Sequence, residues 1–196
     1  MYFEAVAGKP PRDTLLFALD RFDRSFDGGP PHAVDLGCGE GRDSAELLRR
    51  GWRVTAIDGH PEAVARLLAR DDIPGDARSR LSTMLAPFEH LIIPECDLLN
   101  ASFALPFCPP DRFGALWGSI VSALAPGGRF AGQLFGDRDT WAALPDRSHH
   151  TRAQVDQLLS PFGVEMLREE EQPGNDAHGN AKHWHVYHIV ARKRAK

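Results

Sequence analysis

The sequence predicts an α/β fold with a doubly wound, mostly parallel sheet and helices on both faces. Short apolar runs rich in β-branched residues alternate with segments whose apolar residues recur at helical spacing, which is typical of a layered α/β domain. The first two apolar runs are each followed by a predicted helix and then another strand within a short span. Such connections favour parallel strands joined by right-handed crossovers. A chain of 196 residues is suited to one domain with one continuous core.

Turn and capping residues place the elements of the first half of the chain. The cluster Gly28–Pro31 ends the first helical pattern, and Gly51 lies where a left-handed C-terminal cap belongs. Pro61 is suited to the first turn of a helix, where a missing N–H costs nothing. The predicted elements are a helix from about Asp13, a strand at Ala33–Leu36, a helix from about Arg42, a strand at Trp52–Ile57 and a helix from about Pro61.

The second half continues the same alternation. The apolar residues between Phe113 and Leu124 have strongly helical spacing, and the Pro-Gly-Gly run after them ends that helix. The acidic run Glu169–Glu171, together with Gly174–Asp176, is predicted to form a solvated hairpin loop. The predicted elements are strands at Leu81–Ala86 and Cys96–Ala101, a helix at Phe113–Leu124, a strand at Arg129–Phe135, a helix at Thr151–Leu159, and strands at Val164–Glu169 and Lys182–Ala191.

Charge and cysteine content narrow the function classes. The formal net charge is -4 and the sequence pI is about 6.1, so no basic face for a phosphate backbone is predicted, and we expect no nucleic-acid partner. The three cysteines are widely spaced and form neither a disulfide framework nor a CxxC zinc pair. The first residues lack the pattern of a signal peptide, and no apolar stretch is long enough for a bilayer. We therefore expect a cytoplasmic protein with no membrane partner, either a monomer or a homodimer.

A glycine-rich turn and an acidic residue indicate a nucleoside-containing ligand. Residues 35–41, Asp-Leu-Gly-Cys-Gly-Glu-Gly, lie between a predicted strand and a helix, where glycines let a ligand approach the backbone closely. Asp58 ends the next strand, and a carboxylate there can accept hydrogen bonds from both ribose hydroxyls. The alternative is a purely structural strand-to-helix turn. The combination of strand, turn, helix and acid favours the ligand site.

The residues around this turn discriminate between nucleosides. A nucleoside-triphosphate loop requires Gly-Lys-Ser/Thr, whereas Gly41 is followed by Arg42 and an aspartate. The dinucleotide fingerprint places its third glycine one position later, where Arg42 stands. Asp35 and Glu40 bring negative charge to a turn that would have to hold a pyrophosphate. A ligand with an ammonium group suits these acids better.

These motifs resemble those of the class I S-adenosylmethionine-dependent methyltransferases, among which small tellurite-resistance-like enzymes look nearest. The segment Val34–Gly41 is similar to the first motif of that family, Val54–Asp58 to the next, and Leu124–Gly128 to its leucine-x-proline-glycine-glycine turn. The resemblance implies a seven-stranded sheet whose last strand runs antiparallel between strands five and six. It implies one methyltransferase domain over residues 1–196, with an N-terminal helix and lid in 1–30 and the sheet core in 31–196.

The resemblance also implies a set of residues that bind S-adenosyl-L-methionine. Glycines of the turn would pass beneath the methionine part, Asp58 would bind the ribose, and the segment after strand three would contact adenine. Arg12, from an N-terminal lid that includes Tyr2 and Phe3, would meet the cofactor carboxylate. The full predicted set is Arg12, Asp35, Gly37, Cys38, Gly39, Asp58, Gly59, Pro87, Phe88, Glu89, Asn100 and Ala101. The segment Asn100–Phe103 lacks the prolines found in methyltransferases of nucleic-acid amino groups, so we expect a small-molecule acceptor.

The acceptor itself is not identified by the sequence. Because the sulfonium carries the difficult chemistry, the protein must chiefly position the acceptor and exclude water. A base is needed only if the acceptor loses a proton, and His149, His150 and His185 are candidates. The candidates for the acceptor side are Asn100, Gln133, Phe135, Asp137, Arg138 and Trp141, of which Trp141 would wall the pocket and Arg138 would hold an anionic group.

Two other function classes stay open at this point. In a nicotinamide-dependent oxidoreductase, Asp58 would bind the adenosine ribose of NAD. A cofactor-binding module without turnover would bind the cofactor and methylate nothing. The paired histidines of the last strand, His183 and His185, are compatible with zinc, yet no cysteine or carboxylate is grouped with them in the sequence, and we expect no metal site.

Overall fold

A computed structural model describes residues 8–22, 29–88 and 91–195 of the chain. These residues form one sheet with helices packed on both faces. The strands are β1 (His32–Leu36), β2 (Arg53–Asp58), β3 (Leu81–Leu85), β4 (Cys96–Ala101), β5 (Leu124–Gly136), β6 (His149–His150), β7 (Phe162–Asn175) and β8 (Ala181–Lys193). The helices are α1 (Asp13–Leu19), α2 (Arg42–Arg49), α3 (Pro61–Leu68), α4 (Pro110–Ala123) and α5 (Arg152–Leu158).

The sheet has the doubly wound order that the sequence predicts. Seven strands follow the order β3-β2-β1-β4-β5-β8-β7, and the two-residue strand β6 pairs with β5 outside this path. Strands β1 to β5 pair in parallel, whereas β8 is antiparallel to both β5 and β7. The chain order reverses at β1, which pairs with both β2 and β4. Ligands in such sheets bind beyond the carboxyl ends of the strands at this reversal.

Two hydrophobic clusters lie on the two faces of the sheet. Neighbouring residues of β1 belong to different clusters, Ala33 to one and Val34 to the other, because successive side chains of a strand point to opposite faces. One cluster receives Leu15 from α1, Leu47 from α2 and Leu67 from α3, and the other receives Phe113 and Trp117 from α4 and Val155 from α5. The predicted helix layers on both faces are therefore confirmed.

The predicted hairpin loop at Glu169–Asp176 is wrong for most of its length. Strand β7 continues to Asn175 and stays in antiparallel register with β8, from Phe162 opposite Lys193 to Asn175 opposite Ala181. The acidic side chains are accommodated because they project from the exposed end of β7 and pair with basic side chains of neighbouring segments. A charge run thus marks a solvated face, which a strand provides as well as a loop.

Several predicted features fall outside the described residues. Residues 1–7 and 23–28 are among them, so the lid formed by Tyr2 and Phe3, and with it the division of the chain at residue 30, stays a prediction. The longest helix of the described parts, α4, has 14 residues, and no helix there is both long and apolar enough to cross a membrane.

Candidate functional site

The glycine turn between β1 and α2 requires its glycines for different reasons. Gly37, Gly39 and Gly41 have φ angles of 69°, 54° and 82°, in the left-handed region that side chains disfavour. A Cβ on Gly37 would lie 2.3 Å from Cβ of Ala104, and a Cβ on Gly41 would lie 2.2 Å from Cδ1 of Leu67. A Cβ on Gly39 would meet no atom within 4 Å. Close packing therefore excludes side chains at two positions, and open space lies above Gly39.

The backbone amides of this turn are committed to the protein itself. Gly37 N and Cys38 N donate to the carbonyl of Ile57 at 2.8 and 3.0 Å, Gly39 N donates to Oδ2 of Asp58 at 2.9 Å, and Gly41 N donates to the carbonyl of Cys38 at 2.9 Å. A pyrophosphate site of the dinucleotide type needs free amides at this position. Cys38 is buried, and burial raises the pKa of its thiol. The turn therefore does not offer these amides to an anion.

Asp58 faces the glycine turn across the crevice. Its Oδ2 accepts the hydrogen bond from Gly39 N, and its Oδ1 accepts one from His60 N at 2.8 Å. Each carboxylate oxygen has further lone pairs, and the residue is half-buried. The carboxylate thus lies at the mouth of the turn, where a ligand over Gly39 would reach it.

The ends of β2 and β3 meet beside Asp58. A Cβ on Gly59 would lie 3.7 Å from Cα of Pro87 and 3.8 Å from the carbonyl oxygen of Ala86, which is ordinary van der Waals contact. Gly59 therefore lies close to the backbone of the segment after β3. Phe88 is half-buried and packs against one core cluster. Glu89 lies outside the described residues, so its predicted role at an adenine edge is neither supported nor opposed.

A buried polar network lies beneath the glycine turn. Asn100 Nδ2 donates to Oδ1 of Asp35 at 2.9 Å and to Oδ2 of Asp43 at 3.0 Å. Ser44 Oγ donates to the second oxygen of Asp35, and Ser102 Oγ donates to Asp43, each at 2.6 Å. Asp35, Asp43 and Asn100 are at most 3% exposed. Burial, together with the charges of Asp43 and Asp58, raises the pKa of Asp35 from 3.8 to about 7.

This network determines what two predicted cofactor residues can offer. Both oxygens of Asp35 and the amide of Asn100 are engaged within the protein, so neither side chain presents a free polar atom to the crevice. Ala101 is the fully buried last residue of β4. Glu40, by contrast, has one buried carboxylate oxygen, Oε1, without a hydrogen-bond partner in the described part of the chain.

Arg12 reaches the site from the segment before α1. Its backbone N–H donates to Oδ1 of Asp43 at 3.0 Å, and its guanidinium lies 4.4 Å from the ring centre of Phe103. Phe103, directly after β4, has a φ of 55°, which is unusual for a residue with a side chain. The structure therefore brings Arg12 against Asp43 and the residue directly after β4, and its role toward a cofactor carboxylate stays a prediction.

The side chain of Gln133 stabilises the strained backbone at Phe103 by a hydrogen bond. Its Oε1 accepts a hydrogen bond from Phe103 N at 3.0 Å, and its Nε2 donates to Thr14 Oγ1 at 3.0 Å. The side chain is completely buried. Both ends of the amide are thus engaged within the protein, and the side chain of Gln133 does not lie on an open surface.

An aromatic cluster lies at the carboxyl end of β5. We define it as Phe107, Phe135, Trp141 and Trp184, whose ring centres are 5.8–6.3 Å apart where they are in contact. Phe135 is buried at its centre, and Phe103 lies 6.3 Å from the Phe135 ring. The cluster therefore adjoins Phe103, the ring against which the Arg12 guanidinium lies, and the placement of Trp141 in a pocket wall stays a prediction.

A buried ion pair lies against the aromatic cluster. The ammonium of Lys182 pairs with Asp139, and their side chains are 1% and 0% exposed. Asp139 also accepts from Trp141 N at 2.9 Å and from His185 N at 3.1 Å. The ammonium lies 4.1 Å from the Trp141 ring centre and 4.3 Å from that of Trp184. Burial lowers the pKa of Lys182, an effect that Asp139 opposes.

Arg138 is engaged elsewhere than in the aromatic cluster. Its guanidinium donates to Glu171 at 2.9 Å and to Glu169 at 2.8 Å, and these hydrogen bonds raise its pKa. The same contact, with help from His183, lowers the pKa of Glu171 to about 2. Asp137 lies beside it at 3.9 Å. The side chain is half exposed and its fork is already occupied by carboxylates, which leaves little of it for an anionic acceptor.

The three candidate bases differ sharply in their surroundings. His185 is fully buried and uses both nitrogens, accepting from Arg138 N and bonding Glu169 at 2.9 Å. The ring of His150 packs 4.4 Å from that of Phe113, and burial lowers its pKa to about 4. His149 has a side chain only 8% exposed, and its Nε2 has no hydrogen-bond partner among the described residues. That nitrogen lies 3.9 Å from Oδ1 of Asp139.

Within the described ranges, no group of three or more histidine, cysteine or carboxylate side chains is arranged to hold a metal ion.

Sequence comparison relates about half of the chain to known proteins. Residues 33–128 match the family model described as a methyltransferase domain, a range that includes the glycine turn, Asp58 and the turn ending at Gly128. A carboxy-S-adenosyl-L-methionine synthase of Citrifermentans bemidjiense is 30% identical over 104 residues. That match covers 50% of this chain and 41% of the relative, so the similarity spans less than half of the length of the relative.

Solved methyltransferase structures share the fold over nearly all of the chain. TehB from Haemophilus influenzae superposes with a TM-score of 0.74 at 19% identity, covering 93% of this chain and 62% of TehB. A second structure is the 1,6-didemethyltoxoflavin-N1-methyltransferase of Burkholderia thailandensis, solved with bound 1,6-didemethyltoxoflavin and S-adenosylhomocysteine. It superposes with a TM-score of 0.64 at 23% identity, covering 94% of this chain and 78% of the Burkholderia chain. At these identities the likeness establishes the fold alone.

Proposed function

Because residues 33–128 match a methyltransferase domain and the chain shares the fold of solved methyltransferases, we propose that it binds S-adenosylmethionine across the Gly37–Gly41 turn and methylates a small-molecule acceptor. The observation that carries the proposal is the position of Asp58, whose carboxylate hydrogen-bonds Gly39 N at 2.9 Å at the mouth of the open space above that glycine. A ribose lying there has its hydroxyls within reach of this carboxylate.

The charges around the turn fit a cationic ligand. Glu40 has a buried oxygen without a partner in the described residues, and Asp35 and Asp43 form a buried acidic pair below the turn. S-adenosylmethionine, when bound, supplies a sulfonium-activated methyl group. In our proposal Asp58 binds the ribose, Glu40 faces the positive groups, Arg12 binds the carboxylate, and Pro87 and Phe88 flank the adenine.

The same observations disfavour a nicotinamide dinucleotide. The amides of Gly37, Cys38 and Gly39 are bonded within the protein, and a buried acidic pair lies below them. A pyrophosphate would meet negative charge instead of donors there. A module that binds the cofactor without turnover stays compatible with the cofactor crevice, and methyl-transfer assays separate it from an enzyme.

His149 is the residue we propose for proton removal, where the acceptor atom carries a proton. Its Nε2 is buried and unpaired among the described residues, whereas His185 is engaged at both nitrogens and His150 packs on an aromatic ring. Burial lowers the pKa of His149, an effect that Asp139 opposes, so the imidazole is kept neutral and able to accept a proton near neutral pH.

Calorimetric titration with S-adenosylhomocysteine and with NAD tests the cofactor assignment. We expect the first to bind and the second not to bind. Asp58→Ala should weaken S-adenosylhomocysteine binding tenfold or more, because each lost hydrogen bond to a charged group is worth about 1.5–3 kcal/mol. Asp58→Asn, which retains one acceptor oxygen, should lose less.

Asp156→Ala is the matched control, since Asp156 is a half-exposed aspartate on α5 that pairs with Arg152. It should leave affinity unchanged. Unchanged affinity in a folded Asp58→Ala protein, or preferential binding of NAD, would refute the proposal.

A further inference from the structure

The side chains of His149 and Asp139 meet in the interior of the protein near the carboxyl end of β5. Nε2 of His149 lies 3.9 Å from Oδ1 of Asp139, and the two side chains are 8% and 0% exposed. His149 belongs to β6, and Asp139 lies in the turn after β5. The Nε2 atom has no hydrogen-bond partner among the described residues. A buried ring nitrogen beside a carboxylate gains an ionic contact when it takes up a proton.

The carboxylate of Asp139 is fixed in place by three donors. The backbone N–H groups of Trp141 and His185 donate to it at 2.9 and 3.1 Å, and the ammonium of Lys182 pairs with it. Oδ1 accepts from both Trp141 and Lys182 and is also the oxygen that faces His149. Asp139 therefore presents its charge to two groups at once, the Lys182 ammonium and the His149 ring.

The groups around the His149 ring oppose one another. Burial has the largest effect and lowers the pKa of His149. The cations of Lys182 and Arg147 lower this pKa further, whereas Asp139 and a hydrogen bond to the backbone of Arg147 raise it. His150, the next residue of β6, is kept neutral because burial lowers its pKa to about 4. The negative charge of Asp139 thus acts on His149 only in part, because Lys182 offsets it.

We propose that Asp139 is a positioning residue for His149 and that Lys182 limits its effect, so that these three side chains together determine the pH at which His149 takes up a proton. The proposal rests on the proposed function, in which His149 removes a proton. In that step the acceptor atom gives its proton to Nε2 and keeps the electron pair, so His149 becomes a cation 3.9 Å from the Asp139 carboxylate. The carboxylate stabilises this cation.

Nuclear magnetic resonance of the full chain tests the proposal, because it follows proton uptake by each histidine ring. The ring signal lost in His149→Gln identifies His149 among the nine histidines of the chain. Lys182→Met leaves the carboxylate unbalanced and should raise the pKa of His149 by about one unit or more. Asp139→Asn removes the stabilising anion and should lower it by a similar amount. His60, exposed at the start of α3, is the internal reference and should not change.

A double variant and a remote variant complete the experiment. Asp139→Asn combined with Lys182→Met removes both opposing charges, and the pKa of His149 should then lie between those of the two single variants. Lys193→Met, at the other end of β8, is the matched control and should leave His149 unchanged. If Lys182→Met does not fold, the double variant and Asp139→Asn still test the proposal, because neither contains an orphaned carboxylate and the double variant should titrate above Asp139→Asn.

The direction of the two shifts separates this role from a purely structural one. Loosened packing would relieve the burial of His149 and raise its pKa in both single variants. The proposal is overturned if a folded Asp139→Asn protein titrates at or above the wild-type value, or if a folded Lys182→Met protein titrates at or below it. These titrations need neither cofactor nor acceptor. Failure of S-adenosylhomocysteine to bind would therefore refute the cofactor assignment alone, and the titrations would decide on Asp139 separately.

Discussion

Replacement of Lys182 by methionine should destabilise the protein far more than the loss of an ordinary lysine. The Lys182 side chain is 1% exposed, and Asp139, its partner, is 0% exposed. Without the ammonium, Asp139 retains two backbone donors, from Trp141 and His185, but no compensating charge. Methionine fills the space between Trp141 and Trp184 favourably, so the effect reports the orphaned carboxylate rather than a cavity.

The expected magnitude follows from this burial. Breaking a buried ion pair by removing one partner costs about 3–5 kcal/mol. For a chain of this size, one kcal/mol corresponds to roughly 2–4 °C in melting temperature, so Lys182→Met should melt about 6–20 °C lower. Urea unfolding followed by circular dichroism measures the free energy independently.

A double variant separates charge from packing in this experiment. Adding Asp139→Asn to Lys182→Met removes the uncompensated charge, and it should recover a substantial part of the lost stability. Lys193→Met, which removes a lysine that donates to two carbonyls at the far end of β8, serves as the matched single variant and carries no orphaned carboxylate. The reasoning would be contradicted if Lys182→Met had a melting temperature close to that of Lys193→Met, or if the double variant were less stable than Lys182→Met.

Two further predictions concern protons. His149→Gln should lower kcat roughly a hundredfold or more for an acceptor that must lose a proton, without changing S-adenosylhomocysteine affinity. Because burial lowers the pKa of His149, the rate of the wild-type enzyme should fall with acid only below pH 6.5, the ordinary pKa of a histidine. A kcat that is unchanged would remove His149 from the mechanism. Asp35, whose pKa is raised to about 7, is partly protonated at neutral pH, and a cation above the turn favours its charged form. Binding of S-adenosylmethionine should therefore release a fraction of a proton, seen as a dependence of the calorimetric enthalpy on the buffer, and Asp35→Asn should abolish this release; an enthalpy independent of the buffer would count against it.

The sequence predicts the parallel half of the sheet well because local signals there are strong. The residues Gly37–Gly41, Gly51 and Pro61 mark boundaries between strands and helices, and α1 begins at Asp13 as expected. The second half of β7 is predicted less well, since its residues after Leu167 are mostly exposed and show no apolar alternation. Cross-strand pairing, which no local pattern encodes, extends β7 to Asn175.

The cofactor crevice is more predictable than the acceptor side for a similar reason. Gly39 and Asp58 meet because Gly39 follows β1 and Asp58 ends the neighbouring parallel strand β2, so their contact follows from topology. Asp139 and Arg147 lie in the connection between β5 and β6, Lys182 lies in β8, and sequence reasoning does not single them out. Trp141 and Trp184 are the sequence features that could have pointed to these residues, because Arg147 and Lys182 lie against their rings.

The charges around the glycine turn bear on how the proposed cofactor would be oriented. Asp35 and Asp43 are buried below the turn, Asp58 lies at its mouth, and the Arg12 guanidinium lies beside Phe103. Interactions between buried charges are weakly screened, so we expect the cationic groups of S-adenosylmethionine over the turn and its carboxylate toward Arg12. Phe103 is held in its strained conformation by a hydrogen bond to Gln133. The opposite orientation would bring the carboxylate against the acidic residues and the cationic groups against Arg12, which these charges disfavour.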